Sequence, residues 1–571
     1  MASSQEYKLL DMISETHNLL GGQYDEEEDE AAVVEIVPDC SSPGGGLHII
    51  QYFIRHISIL PAMGNHAVSL ALASSYKLTL ALLPSFVASR ISGTPSRKKH
   101  NNIAALDGLR GVACLFVFHE HWTFSFGNCL AAKPEVLSSR IMNQPYINLL
   151  WSGIAMVDIF FFMSGYVLVC KPLKLIHSGD RSGTFSSLSS AVFRRALRLY
   201  LPSFAIILVA AVLTRFHAFD ASNAVFFRQP DHFPLGPQEQ PPPFLETWWL
   251  QLWDALKDCF RIADNTIPWG RFNIPYEVDK SARPAATIYD RHLWTIPVEF
   301  RSSMLIFMAL IGTTQICTRW RFLIHLVLWL DCLFTERFAE SLFLAGMIFA
   351  EIDVIKKEKR ADNNAASSTT VSRDFRSHRL GGYIGNAIYL ITFVFGLFLV
   401  SVPRIAPEAF PAYAAIMVRV PRYIREKHCF VRAIGGILTT WPVANSSLLA
   451  PLFTNPISHY LGQISFPLYL VHGTVIKSLG YGLMPKFFDL GAGTQDKTHL
   501  TSEQFARTWL IGYAVLLPVV IWGADLFWRA VDRPCVSFAK YVEEKLRADE
   551  RKRNGLALLP TSSPERVSKV A

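Results

Sequence analysis

Ten stretches of mostly apolar residues constrain this chain more than any other feature. They cover residues 105–126, 147–170, 198–218, 293–315, 320–336, 338–354, 383–402, 430–450, 459–480 and 508–530. A helix needs about 20 such residues to cross a bilayer. In lipid, only helices and closed barrels satisfy their own backbone hydrogen bonds. The expected fold class is therefore all-α: a polytopic membrane protein with about ten transmembrane helices in one bundle. Composition agrees. Charged residues make up 18% of the 571 positions, against about 25% in soluble proteins, and they gather between the apolar stretches. The fifth and sixth stretches are short and joined through Thr335, Glu336 and Arg337. The eighth is interrupted by Gly435, Gly436 and Pro442.

Around these stretches the chain divides into four parts. Residues 1–47 lack the apolar centre of a signal peptide and carry the acidic run Glu26 to Glu30, so they read as a disordered acidic cytosolic tail. Residues 48–100 read as an interfacial, amphipathic segment, because the apolar run from Ala67 to Val87 holds Lys77 and Pro84. Residues 101–540 are the membrane domain, and 541–571 a basic cytosolic tail. Lys and Arg set the orientation. Arg97, Lys98 and Lys99, then Lys171, Lys174, Arg181, Arg194, Arg195 and Arg198, then Lys356, Lys357, Lys359 and Arg360, and the tail after Arg529 all fall on one side of a ten-span chain. Both termini are thus expected in the cytoplasm. Residues 403–428 go against this pattern, with Arg404, Arg419, Arg422, Arg425 and Lys427 on the outer side.

Some function classes drop out. The nine cysteines form no CxxC pair, which argues against zinc ribbons and dithiol redox sites. Cys129, Cys259 and Cys429 fall in outer loops and leave room for one disulfide without singling out a pair. No basic-aromatic run points to a nucleic-acid partner.

Ionisable side chains inside a span are costly, so each is a functional candidate. The first stretch reads LDGLRGVACLFVFHEHW from Leu106 to Trp122. Arg110 and His121 are eleven residues apart, which is three turns plus about 20°, so they share a face about 16 Å apart. Asp107 shares that face and can pair with Arg110. His119, Glu120 and His121 point about 100° or 200° apart and cannot grip one ion, so no metal is expected. The second stretch holds MVDIFFFMSGYVL from Met156 to Leu168. Its Ser164 is either a ligand contact or a hydroxyl bonded to its own backbone, and Gly165 suits close helix packing. The third opens FRRALRLYLP from Phe193, with Arg194, Arg195 and Arg198 at its cytoplasmic mouth. These are either membrane anchors or a clamp for phosphate oxygens. The fourth begins HLWTIPVEFRSSM at His292, with Glu299 just inside the outer edge. The ninth holds ISFPLYLVHG, which places His472 about 20 Å in from the cytoplasmic side. His121, Glu299 and His472 thus share the outer half of the membrane, and an imidazole beside a carboxylate suits general-base chemistry on a hydroxyl.

Together these blocks resemble acyltransferase family 3, the multi-span membrane O-acyltransferases that include bacterial O-antigen and Nod-factor acetylases and many fungal relatives. DGLRGVACLFVFHEH with its Arg-x10-His spacing, VDIFFFMSGYVL, the RxxR of FRRALRLYLP and ISFPLYLVHG carry the likeness. LWTIPVEFRSSM looks like the fungal form of a Trp-Glu motif, and the closing VDRP, Val531 to Pro534, resembles a final Arg-Pro motif. The likeness runs from about residue 104 to 535. It implies a ten-span fold with acyl-CoA as co-substrate and no resident cofactor. It also implies that Arg110 and His121 matter most and that Arg195 and Arg198 are the RxxR pair. The mechanism expected places the donor phosphates at Arg110, Arg194, Arg195 and Arg198, with Ser164 as a donor contact. His121 removes the proton from an acceptor hydroxyl, and Glu299 or His472 orients it. Residues 219–292 and 403–428 are expected to shape the acceptor site. Acetyl is the expected acyl group, and the acceptor is a small molecule, a glycan or a lipid. A transporter is the rival reading, and it lacks the support of an internal two-fold repeat.

Overall fold

The computed structural model describes residues 82–92, 102–124, 126, 141–228, 240–264, 287–367, 375–404, 406–495 and 500–553. The tail 1–47, most of 48–100, Cys129 and the end of the basic tail lie outside them. Among the described residues there is no strand, and a helix occupies every one of the ten apolar ranges. The chain is an all-α polytopic membrane protein. In order, α1 is Ser85–Ser92, α2 Asn102–Phe124, α3 Gly153–His177, α4 Arg181–Arg215, α5 Asp220–Arg228, α6 Trp248–Asp264, α7 Thr295–Thr313, α8 Thr318–Phe334, α9 Phe338–Ser367 and α10 Phe375–Val400. Then come α11 Pro411–Met417, α12 Lys427–Asn445, α13 Pro456–Val475, α14 Tyr481–Ala492, α15 Ser502–Phe527 and α16 Arg533–Arg553.

Five helical segments are long and apolar enough to cross a membrane by length and composition: Gly153–His177, Arg181–Arg215, Arg291–Thr313, Tyr383–Val400 and Ser502–Ala548. The others are more polar or shorter. α2, for example, carries Asp107, Arg110 and Glu120. Charges inside the bundle are paired rather than lipid-facing. Asp158 of α3 meets Arg432 of α12, and Arg301 meets Glu340 at 2.5 Å. Arg321 meets Glu351 at 2.5 Å.

Several boundaries differ from expectation, each for a local reason. Asp180 caps α4 by accepting from the Gly183 amide, so α4 begins well before residue 198 and carries all three arginines. The expected break at Gly435 is absent. α12 is continuous, and a Cβ at Gly435 would lie 2.7 Å from the Val400 backbone nitrogen of α10, so this glycine is a contact point rather than a breaker. The boundary at 540 falls inside α16, which continues α15 through a π-turn at Trp528–Asp532. Of the cysteines expected in outer loops, Cys259 and Cys429 lie in helices and are free thiols.

The contact that positions the site is α2 against α13. Arg110 reaches Gly462 and Ser465, while eleven residues later His121 reaches His472, so the two helices run parallel. They approach closely because Gly111 faces the α13 backbone, where a Cβ would lie 2.3 Å from the Gly462 nitrogen. Small residues permit such backbone approach in membranes. One apolar core lies between α3, α7, α9 and α12, and a second packs α2 and α13 against α14 and α15. A third joins α4, α6 and α7.

Candidate active site

Two polar clusters lie along the α2–α13 contact. One, at the C-terminal end of α2 and called the outer cluster, gathers three histidines from three segments, and the other, at the N-terminal end, is called the inner cluster. The rings of His121 and His292 are 4.1 Å apart, those of His121 and His472 5.2 Å, and those of His292 and His472 5.0 Å. His472 is buried. Its Nδ1 donates to the Leu468 carbonyl at 3.2 Å, and its Nε2 has no hydrogen-bond partner among the described residues. His292 Nδ1 donates to Asp290 Oδ1 at 2.6 Å. The same carboxylate accepts from the fully buried Lys477 at 3.3 Å, and Lys477 also donates to the Tyr289 carbonyl at 2.9 Å. Burial alone would raise the Asp290 carboxyl. The Lys477 ammonium, the His292 ring and its hydrogen bond outweigh that and hold the group well below the usual carboxylate range.

α6 buttresses this carboxylate. Asp258 Oδ2 accepts from the amides of Ile288 at 2.8 Å and Tyr289 at 3.3 Å, and Gln251 donates to the Tyr289 hydroxyl at 2.8 Å. The opposite face of α6 exposes Trp249, Trp253 and Phe260. The 219–292 connection therefore reaches the site through Asp290.

The inner cluster is built from arginines. Arg110 donates from Nε to Ser465 Oγ at 2.9 Å and pairs with Asp107 at 3.3 Å, with 39% of its side chain still exposed. Arg195 is buried and donates to Ser303 Oγ at 3.0 Å and Glu299 Oε1 at 2.6 Å. Arg198 sits among the charges of Arg195, Arg110, Asp532 and Glu299. Three guanidiniums thus converge on one open mouth, about 16 Å along α2 from His121.

Two expected placements need correction. Glu299 is seated on Arg195 and on Ser164, whose hydroxyl donates to it at 3.0 Å. Among the described residues, Asp290, about two turns before Glu299, is a carboxylate that meets the histidines, through His292. Arg194 turns away to Glu543 of α16 at 3.2 Å, because helical neighbours point about 100° apart and Arg195 already faces inward. Ser164 makes a side-chain contact rather than a backbone one, and Asp107 pairs with Arg110 as its spacing predicts. His119 instead packs against Trp151 and Trp509 with tilted rings and edge-on to Tyr513. His121, His292 and His472 do bring ligand atoms within 4.8 Å of one another, a grouping able to grip a transition metal that the adjacent His119–His121 triplet could not form.

Asp290, His292 and Lys477 are the residues that sequence reasoning missed. A signal for Lys477 was present: it is a charge inside the ninth apolar stretch.

The profile of a family described as an acyltransferase domain matches residues 103–529. An O-acetyltransferase of Phomopsis amygdali is 30% identical over 80% of this chain and 87% of its own length. An acyltransferase of a Phoma species is 27% identical over 77% of this chain and 95% of its own, and one of Cochliobolus lunatus is 24% identical over 76% and 93%. No solved structure matches the chain.

Proposed function

Since the chain belongs to that acyltransferase family, matched over most of its length, we propose that it moves an acyl group, most simply acetyl, from acyl-CoA to a hydroxyl of a small-molecule, glycan or lipid acceptor. The observation that carries this reading lies on α2: Arg110 in an open arginine mouth and His121 among buried histidines, on one face of one helix. A donor with phosphates at one end and a thioester at the other fits that separation. The similarity to a fungal O-acetyltransferase favours acetyl and oxygen.

Arg110, Arg195 and Arg198 bind the donor phosphates as charge-assisted forks. Glu299 and Ser164 hold Arg195 in place. The acceptor oxygen attacks the thioester carbon while His121 takes its proton, and the C–S bond then breaks. His472, with its Nδ1 fixed on Leu468, packs beside the His121 ring. The parallel run of α2 and α13 suits a ten-span path in which the first and ninth spans enter from the same side, with both termini cytoplasmic.

The test is transfer from labelled acetyl-CoA in membranes carrying wild-type chain or His121→Ala, with a panel of sugar, sterol and aromatic alcohols. Label should reach an alcohol with wild type and not with the variant. Equal transfer by both would end the role of His121. Correctly inserted wild-type chain that turns over no donor would end the acyl-CoA reading.

A further inference from the structure

The pair Asp290 and His292 stands behind His121. Resting on the acyl-transfer reading of this site, we propose that His292, oriented by Asp290 and Lys477, carries the proton that His121 removes, with Asp290 and Lys477 as positioning residues.

Three observations support this. First, the His292 ring is fixed at Nδ1 by a buried carboxylate at 2.6 Å, whereas His472 has only a backbone carbonyl at that atom. A carboxylate behind an imidazole sets its tautomer and favours its protonated form. Second, the His292 ring meets the His121 ring nearly perpendicularly, at 72° and 4.1 Å, closer than His472 comes to either. Third, the pair is locked by Gly473 of α13 and by Lys477, one turn further on in the π-helical turn Ile476–Gly480 that follows it. Lys477 donates to Asp290 and to the Tyr289 carbonyl. At Gly473 a Cβ would lie 2.4 Å from His292 Nδ1 and 2.7 Å from Asp290 Oδ2, so the dyad packs where only a hydrogen fits.

The step balances. As the acceptor oxygen bonds to the thioester carbon, its proton passes to one nitrogen of His121. The proton on the other nitrogen of His121 passes to His292, and the imidazolium formed lies against Asp290. When the C–S bond breaks, the path reverses and the proton ends on the CoA sulfur. The products are an ester and free CoA thiol, and all three side chains return to their starting state.

The experiment tracks CoA thiol release from acetyl-CoA by purified full-length protein, with an alcohol from the panel and with water alone. Asp290→Asn and His292→Gln should each lower kcat about 10²–10⁴-fold, the range for acid–base groups. KM for acetyl-CoA should move by less than about threefold, because the arginine mouth is untouched. Asp290→Asn should also shift the acid limb of the pH profile, which a merely structural residue would leave in place. Imidazole added to His292→Ala should restore part of the rate. If Asp290→Asn fails to fold, Gly473→Ala keeps every polar group, and its rate should fall through displacement of the dyad alone. Near-wild-type kcat with an unchanged pH profile in Asp290→Asn and His292→Gln overturns the proposal and leaves the acyl-transfer reading standing. So does one equivalent of transition metal in the purified protein that is lost on replacing any of the three histidines. Wild-type chain that releases no CoA thiol overturns both.

Discussion

The two clusters along α2 are built on opposite plans. The inner one is open and made of long cations: Arg110 keeps 39% of its side chain exposed and Asp107 46%. The outer one is closed and made of buried, hydrogen-bonded groups: His472 is 1% exposed, and Asp290 and Lys477 1% and 0%. Arginine mouths tolerate small displacements, because a fork can follow a phosphate. A proton path does not, since the groups must stay within hydrogen-bond reach. Under the proposed acyl transfer, the contrast assigns binding to one end of this helix and chemistry to the other. Substitutions at the inner end should therefore act on KM, and those at the outer end on kcat.

The largest effect should come from His121→Ala, with kcat down about 10²–10⁴-fold and donor binding little changed, read by single-turnover and equilibrium binding. Next, Arg198→Ala should raise KM for acetyl-CoA about 10–100-fold, as expected for a lost charge-assisted bond, and that KM should depend less on salt. Glu299→Gln tests the corrected placement: KM should rise about tenfold through loosening of Arg195, with kcat nearly unchanged. A kcat loss matching that of His121→Ala would return Glu299 to the proton path. Arg194→Ala should be smallest, within about twofold in KM, because Arg194 faces away from the mouth toward Glu543 of α16.

The pH profile sharpens the same divide. Asp290 is held below the usual carboxylate range, so it stays charged at working pH. Its contribution to stability is present above the unfolded value of about 3.9 and is lost only as pH falls below that. Loss of rate on acidification within the working range is therefore not protonation of Asp290. A limb centred near 4 instead would place a carboxylate in the proton path.

Much of this arrangement is legible in the sequence. Arg110, His121 and His472 follow from the cost of placing charge in lipid and from helical rise. Rise gives depth but not rotation or neighbour, and this is where Glu299 departs from expectation. It shares a helix with the site, yet Arg195 reaches from α4 to claim it. Arg194 and Arg195 cannot face one cluster, which the 100° step already implies. Asp290 escapes notice because it sits in the link before α7, outside any span. Its importance arises only when Lys477, 187 residues later, closes on it.

The parallel course of α2 and α13 has a consequence in time. Arg110 and Ser465 are 355 residues apart in the chain. At a synthesis rate of about 5–20 residues per second, α2 waits roughly 20–70 s before its partner emerges. Throughout that wait its polar face and glycine groove have no α13 to close on. Birth of the enzyme is therefore late and abrupt: a nascent chain arrested before α13 is inserted is inert, however well its earlier helices are packed.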